Sequence, residues 1–326
     1  MSSRVYAVIP VHNGIEHTLP TVRSLLPLMP PGSRVVVVDD GSTDGTGEIL
    51  QREYPEVIVL QGDGNLWWSG AINMGSRYAL ENGADFVLFL NNDVILHPQF
   101  LEELLRAARE FPGALIASKI LFANEPWKVW SMGGKISWWR GRLWMLGCDT
   151  LDDERWQEPV EVDWLPGMSV LVPVEVFRQG LWVDDVAFPQ YAGDSDFSIR
   201  VRKAGFKLIT WPQSRVYNKV GHSGMDTKLL LGLEPFSLRL FFQTFTSVKS
   251  SMALRTNMTW VTRHTPVWAW SIMWGRSYGF YLLKCLQIWL GLPGIVRRFK
   301  KKRYDVILKT QKGNTTVRHE LQDKFY

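Results

Sequence analysis

The chain has 326 residues, 46% apolar and 21% charged, the balance of one large or two modest folded domains and not of a disordered chain. Two cysteines, Cys148 and Cys285, exclude a disulfide framework and a four-thiolate zinc site, and with a start (MSSRVYAVIP) unlike a secretory signal they predict a cytoplasmic setting. The formal charge of +5 is concentrated in residues 297–326, which hold ten Lys/Arg and three acids; the remaining residues sum to −2, which argues against a nucleic-acid-binding face spread over the fold.

Val5–Pro10 is a short apolar run, and Thr18–Leu28 has helical spacing. Arg34–Asp39 (RVVVVD) is β-branched and uninterrupted, the pattern of a strand buried on both faces. Then follow a short helix over Thr46–Glu53, a strand over Val57–Leu60 and a helix over Gly70–Glu81 that stops at Gly83. A strand over Asp85–Leu90 and a helix over Pro98–Glu110 complete the first half. Strands alternating with helices predict an α/β fold on a parallel sheet with right-handed crossovers. Ligands of such sheets bind at the carboxyl ends of the strands. That rule points to His12-Asn13, Asp39-Asp40 and Asn91–Asp93, each directly after a strand.

From about residue 114 the rhythm changes. Leu115–Leu121 is strand-like, Gly133–Leu146 resembles a hairpin turning at Arg140-Gly141, and Trp164–Val172 is another apolar run. Asp196–Ala204 has helical spacing, Phe206–Trp211 is a last strand, and after about residue 228 only helical patterns remain.

Four constellations carry candidate chemistry. In VVVVDDGSTDGT (35–46) two acids end a strand and enter a Gly/Ser/Thr turn. They read either as turn and capping chemistry, or as a strand-end carboxylate, Asp39, accepting the imide N–H of a pyrimidine base. In FLNNDV (89–94) Asn91, Asn92 and Asp93 follow an all-apolar strand and read either as a plain strand-to-loop exit or as a donor set suited to a hard divalent cation that bridges phosphate oxygens. Asp194 and Asp196 open a helix, as N-terminal dipole partners or as a general base whose proton affinity a bound diphosphate would raise. His222, in VGHSG, reads as an ordinary histidine or as an imidazole ligand completing the coordination begun by Asp93.

GDGNLWWSGAINMG (62–75), with Asn65 and Asn73, lacks the spacing of a dinucleotide or ATP loop, but its backbone and amide donors suit a sugar diphosphate. Trp67 and Trp68 read as sugar-stacking rings or as core.

In order, VIPVHN (8–13), VVVDDGSTDGT (36–46), GNLWWSGAINMG (64–75), LNNDV (90–94), GMSVLVPVEVF (167–177), GDSDFSIR (193–200) and VGHSG (220–224) resemble the inverting family 2 glycosyltransferases, most closely a bacterial rhamnosyltransferase-like branch that builds cell-surface polysaccharide on lipid-linked acceptors. The resemblance implies a GT-A fold, a Rossmann-like mixed sheet with flanking helices, over residues 1–225, and a helical C-terminal extension over 226–326. It implies that Asp39 binds the base of a nucleoside-diphosphate sugar, with Pro10, His12, Asn13 and Gly41 in the same pocket and Asn65, Asn73, Asn91 and Asn92 on the donor. Asp93 becomes the surviving acid of an Asp-x-Asp motif holding Mg²⁺ or Mn²⁺ with His222, Asp194 the catalytic base, and Asp196, Trp67 and Trp68 the acceptor side. Two departures stand out: Asn91 replaces the motif's first acid, and Gly193 stands where Glu usually precedes the base. Transfer onto polyprenyl phosphate, or a catalytically inactive sugar-nucleotide-binding protein, are the competing readings.

Residues 265–296 are aromatic and apolar, but their uncharged runs are eleven, seven and twelve residues long, short of the ~20 a membrane span takes. RRFKKKR (297–303) follows. Trp-rich sequence beside a basic cluster predicts an element at an anionic membrane surface over 265–303, with the protein peripheral at the inner face of the cell membrane. The other reading is a helix docked on the catalytic domain with a solvated tail.

Overall fold

The structure is a computed structural model and describes residues 3–219 and 237–290. The chain divides into two compact units: residues 1–135 with 144–218, and residues 136–143 with 219–326.

The first unit is built on one ten-stranded sheet. Strands β1 (Val5–Val11), β2 (Arg34–Asp39), β3 (Ile58–Gln61) and β4 (Phe86–Leu90) alternate with helices α1 (Ile15–Leu25), α2 (Thr46–Glu53) and α3 (Trp67–Glu81), as the sequence pattern predicts. β5 (Val94–Leu96), α4 (Phe100–Glu110), β6 (Leu115–Phe122) and β7 (Glu125–Ser131) follow. β8 (Gly134–Ser137) and β9 (Arg142–Met145) form a separate hairpin whose tip, residues 136–143, belongs to the second unit, and β10 (Val160–Glu161), β11 (Ser169–Pro173), α5 (Val174–Arg178), α6 (Gly193–Lys203) and β12 (Leu208–Asn218) complete the first.

The strand order is β10-β12-β6-β11-β4-β1-β2-β3, with β5 on β12 and β7 on β6. β1, β2, β3 and β4 are mutually parallel, whereas β11 runs antiparallel between β4 and β6. The sheet is therefore mixed. In the central strands alternate residues feed opposite cores. Val5, Ala7, Ile9, Val35 and Val37 join the side of α1, α2 and α4; Tyr6, Val8, Val36 and Val38 join the side of α3, α5 and α6. That double burial is why these strands read as unbroken apolar runs.

β12 passes the predicted end at Trp211 by seven residues. Pro212 ordinarily ends a strand, but here the pairing with β6 shifts between Trp211 and Arg215, and that irregularity absorbs the missing N–H. On the same two strands Lys119 of β6 is wholly buried, donating to Asp152 Oδ1 at 2.7 Å and to the Trp156 carbonyl at 3.1 Å.

In the second unit the described helices are α7 (Leu238–Thr246), α8 (Leu254–His264) and α9 (Trp270–Trp289). Phe241 and Phe245 of α7 pack on Tyr281 of α9, with Leu240 and Cys285 buried beside them. Among the described residues no helix is long and apolar enough to cross a membrane. His222 and the basic cluster 297–303 lie outside the described residues.

Candidate active site

The carboxyl ends of β1, β2 and β4 lie side by side, because Val11 pairs with Asp39 and Val8 with Phe89. The loops leaving them lock together. Asn13, at φ 50°, accepts from the Thr43 N–H at 2.7 Å through Oδ1 and donates its own N–H to Ser42 Oγ at 2.9 Å. His12 Nδ1 lies 2.7 Å from the Asp40 carbonyl oxygen, which fixes the proton on Nδ1 and leaves Nε2 to accept from Asn13 Nδ2 at 3.1 Å. Asp44 serves the turn, accepting from the N–H groups of Ile15 and Thr46.

The two adjacent acids have different tasks. Asp39 is 3% exposed; its Oδ1 accepts from the Ser42 N–H at 3.0 Å, and a Cβ on Gly47 would lie 2.6 Å from its Oδ2. α2 thus starts directly against this carboxylate. Asp40 holds the loop before α3, taking the Gly64 N–H at 2.8 Å and the Trp67 N–H at 2.9 Å. Gly41, at φ 69°, meets the Gly64 backbone, where a Cβ would come within 3.1 Å of Gly64 Cα. Asn65 is exposed on that loop.

After β4 the three polar residues diverge. The Asn91 N–H donates to the Met168 carbonyl at 3.1 Å. Asn92 turns to α1, donating to Thr18 Oγ1 at 3.0 Å while its carbonyl accepts from Thr21 Oγ1 at 2.8 Å. Among the described residues Asp93 keeps a buried Oδ1 without a hydrogen-bond partner. A buried carboxylate oxygen of this kind fits the role of a ligand to a divalent cation, since such an atom is costly to leave uncompensated. Among the described residues no group of three His, Cys, Asp or Glu side chains gathers to enclose an ion.

Asp194 connects to this edge through β11. Its Oδ2 accepts from the Gly167 N–H at 3.0 Å and its Oδ1 from the Ser195 N–H at 2.7 Å. Met168, next to Gly167, is the residue bonded to Asn91. Behind Asp194 lies a small, mostly apolar pocket walled by Phe89, Leu165, Val170 and Phe197; Asp194 lines it, whereas Asp39 and Asp93 do not. Burial pushes the Asp194 carboxyl above the usual carboxylate range, against the pull of the two N–H donors. Trp68 stands over the same spot: a Cβ on Gly167 would lie 2.3 Å from its ring and 3.1 Å from Asp194 Cβ.

A scan of family models matches residues 6–163 to "Glycosyl transferase family 2". Over those residues the chain is a glycosyltransferase of family 2. It is 28% identical over 229 residues to an undecaprenyl-phosphate mannosyltransferase of Micrococcus luteus, covering 68% of this chain and 88% of that one. It is 27% identical over 253 residues to an N-acetylglucosaminyl-diphospho-decaprenol L-rhamnosyltransferase of Mycobacterium tuberculosis, covering 69% and 82%. The fold aligns with GalNAc-T7, crystallised with UDP, GalNAc and Mn²⁺, at a TM-score of 0.54 and 14% identity, over 86% of this chain and 57% of that one. The fold is GT-A.

Within this glycosyltransferase, several predicted site residues carry structural bonds. Asn73 is buried; its amide donates to the Val183 carbonyl at 2.8 Å and accepts from the Val183 N–H at 3.2 Å, so it ties α3 to the segment before α6. Asp196 is fully buried in an ion pair with Arg200, at 2.7 Å from Nη2, one helical turn on. Trp68 packs against the inner core with an edge-on contact to Phe89 at 6.1 Å. Asp40 and Gly167 are the positioning residues that sequence reasoning passed over. Asp40 was visible only as the second acid of a pair, and Gly167 only as the first residue of the GMSVLVPVEVF match.

Gly193 has a steric reason. A Cβ there would lie 2.4 Å from Ser69 Oγ and 3.0 Å from the Phe188 carbonyl oxygen. Ser69 itself donates to that carbonyl. Gly193→Ala is therefore expected to destabilise the fold by about 1–3 kcal/mol, the usual cost of overpacking. Ser69→Ala in the same chain should return part of the loss, read as melting temperatures; equal melting of Gly193→Ala and the parent would show that the space is not filled.

Proposed function

We propose that this glycosyltransferase moves a hexose, with rhamnose the sugar implied by its resemblance, from a nucleoside-diphosphate sugar to a hydroxyl of a glycan or lipid-linked acceptor in cell-surface polysaccharide synthesis, with inversion at the anomeric carbon. The observation that carries it is the Asp194 carboxylate, oriented by two backbone N–H donors and made more basic by an apolar wall. It sits one hydrogen-bonded step from the loop of Asp93.

In this reading Asp194 takes the proton of the acceptor hydroxyl. The hydroxyl oxygen forms the new bond to the anomeric carbon as the bond to the diphosphate oxygen breaks, and the nucleoside diphosphate departs from the opposite face. Asp39, with Pro10, His12, Asn13 and Gly41 around it, receives the base. Asp93, with His222, would hold Mg²⁺ or Mn²⁺, which supplies charge compensation to the diphosphate when bound. The work of the chain's own residues is orientation and electrostatics. A lipid-linked acceptor would bring the enzyme to the inner face of the cell membrane, with 265–303 against the anionic surface.

A panel of nucleotide-sugars scored for thermal stabilisation, with and without Mn²⁺, tests the donor side. One nucleoside-diphosphate hexose should raise the melting temperature, Asp39→Ala should abolish that rise, and Asp93→Asn should abolish its Mn²⁺ dependence. A rise that survives Asp39→Ala would remove Asp39 from the base pocket. The anomeric configuration of product, read by NMR, tests inversion. A second reading, transfer to polyprenyl phosphate itself, is favoured by the likeness to the Micrococcus luteus enzyme; a product formed on bare lipid phosphate would select it.

A further inference from the structure

We propose that the second unit is an anionic-lipid docking surface whose apolar face is formed jointly by the tip of the β8–β9 hairpin and by α9. This deepens the membrane partner proposed above and extends it to residues outside 265–303.

The first observation is charge. Residues 235–304 contain no Asp or Glu and twelve Lys/Arg. At the chain's own frequency, 32 acids in 326 residues, a stretch of 70 would hold about seven. A face that only meets water mixes both signs. Loss of one sign over 70 residues fits a partner of the opposite sign, because each acid would be repelled by it.

The second is apolar exposure. Trp139, at the hairpin tip, is 81% exposed and stacks on the half-exposed Trp268 with ring centroids 4.3 Å apart. Beside it Gly141 lies on the first turn of α9, where a Cβ would come within 2.6 Å of Ile272. The tip and the start of α9 thus make one aromatic-aliphatic patch, with exposed Val267 at its edge and exposed Arg140 on the tip. Farther along α9 the outward face continues with Leu283 and Trp289, 62% and 64% exposed. In twenty residues α9 has two charges, Arg276 and Lys284, so it is unsuited to spanning yet apolar on its open side as well as its packed side. The described residues stop at Leu290, seven residues before RRFKKKR.

Cations alone would also suit a nucleic acid. The exposed aliphatic side chains favour lipid, since a phosphodiester strand gives Leu283 or Ile272 nothing to bury against, whereas acyl chains do. Tryptophan, with an apolar body and one N–H, suits the headgroup boundary.

The test uses the full chain and sedimentation with vesicles of phosphatidylglycerol mixed with phosphatidylcholine, against phosphatidylcholine alone. Binding should be at least about tenfold tighter to the anionic vesicles and should weaken with added NaCl. The variant Trp139→Ser/Trp268→Ser, on exposed rings, should lower that affinity about tenfold with an unchanged melting temperature; Leu283→Ser is a second variant on an exposed site. Equal affinity for both vesicle types, unchanged binding by the Trp variant, capture of an oligonucleotide in place of vesicles, or self-association with no vesicle binding would each overturn the proposal. No donor or acceptor is present in this assay, so its failure leaves the glycosyltransferase reading intact, and failure of the donor panel leaves the docking surface intact.

Discussion

Asp194→Asn is expected to lower kcat by about 10²–10⁴-fold, the range for loss of a positioned general base, while the stabilisation by donor nucleotide-sugar remains. The asparagine keeps the size of the side chain but has one acceptor oxygen for two N–H donors, Gly167 and Ser195, that now meet two carboxylate oxygens. Some loss of order at α6 follows, so pH supplies the discriminating readout. Because burial raises the carboxyl's pKa in the free enzyme, the acid limb of kcat/KM should lie above the ordinary carboxylate range, with activity falling as pH falls through it. Folding is linked to the same proton. Between the unfolded value and the raised folded value the native state binds more protons than the unfolded chain, so this group's contribution to stability falls as pH rises. Asp194→Asn should remove that slope from the pH dependence of unfolding. A variant with parental kcat, or an acid limb at an ordinary carboxylate pKa, would reject Asp194 as base.

What could be read from the sequence follows where the physics is local. β2 and α2 fall on their predicted residues because Val35–Val38 feed both cores and the turn between them has its own cap chemistry. The short strands β5, β7 and β10 were not foreseen. β5 and β10 have three and two residues and pair with β12, distant in sequence, whereas β7 follows β6 directly but begins Glu-Pro-Trp-Lys and pairs with it in a shifting register. The site divides the same way. A carboxylate after an apolar strand is visible as a candidate, but which partner it takes is not. Among the described residues Asp93 keeps an open oxygen, Asp196 is engaged by Arg200 and Asn73 by the Val183 backbone, although all three are polar residues in matching motifs. Motif position located the edge of the sheet; hydrogen-bond partners mark which of its residues are committed to scaffolding. Gly193 shows the same limit from the other side, since its reason lies in Ser69 and Phe188.

The largest stability effect is expected away from that edge, at Lys119. Its side chain is fully buried, and Asp152 is its ion-pair partner at 2.7 Å. Arg215 pairs in register beside it on β12 and adds a second cation. Burial pushes the ammonium's pKa down; Asp152 pulls it back up, and Arg215 pushes it down again. Asp152→Ala would leave a buried charge next to a like charge, and should cost about 3–5 kcal/mol, as removal of one member of a buried pair does. Lys119→Met with Asp152→Leu should recover most of that loss, because it removes both desolvation costs at once. The sign of the pH effect is fixed by the depressed pKa. Between the lowered folded value and the ordinary lysine value the native state binds fewer protons than the unfolded chain, so stability rises with pH there. In Asp152→Ala the pull of the carboxylate is gone, the folded value drops further, and the rise should begin at lower pH than in the parent. Urea unfolding of parent, single and double variants across the alkaline range measures all three effects. A single variant as stable as the parent would mean that the Lys119 ammonium is compensated by something other than Asp152.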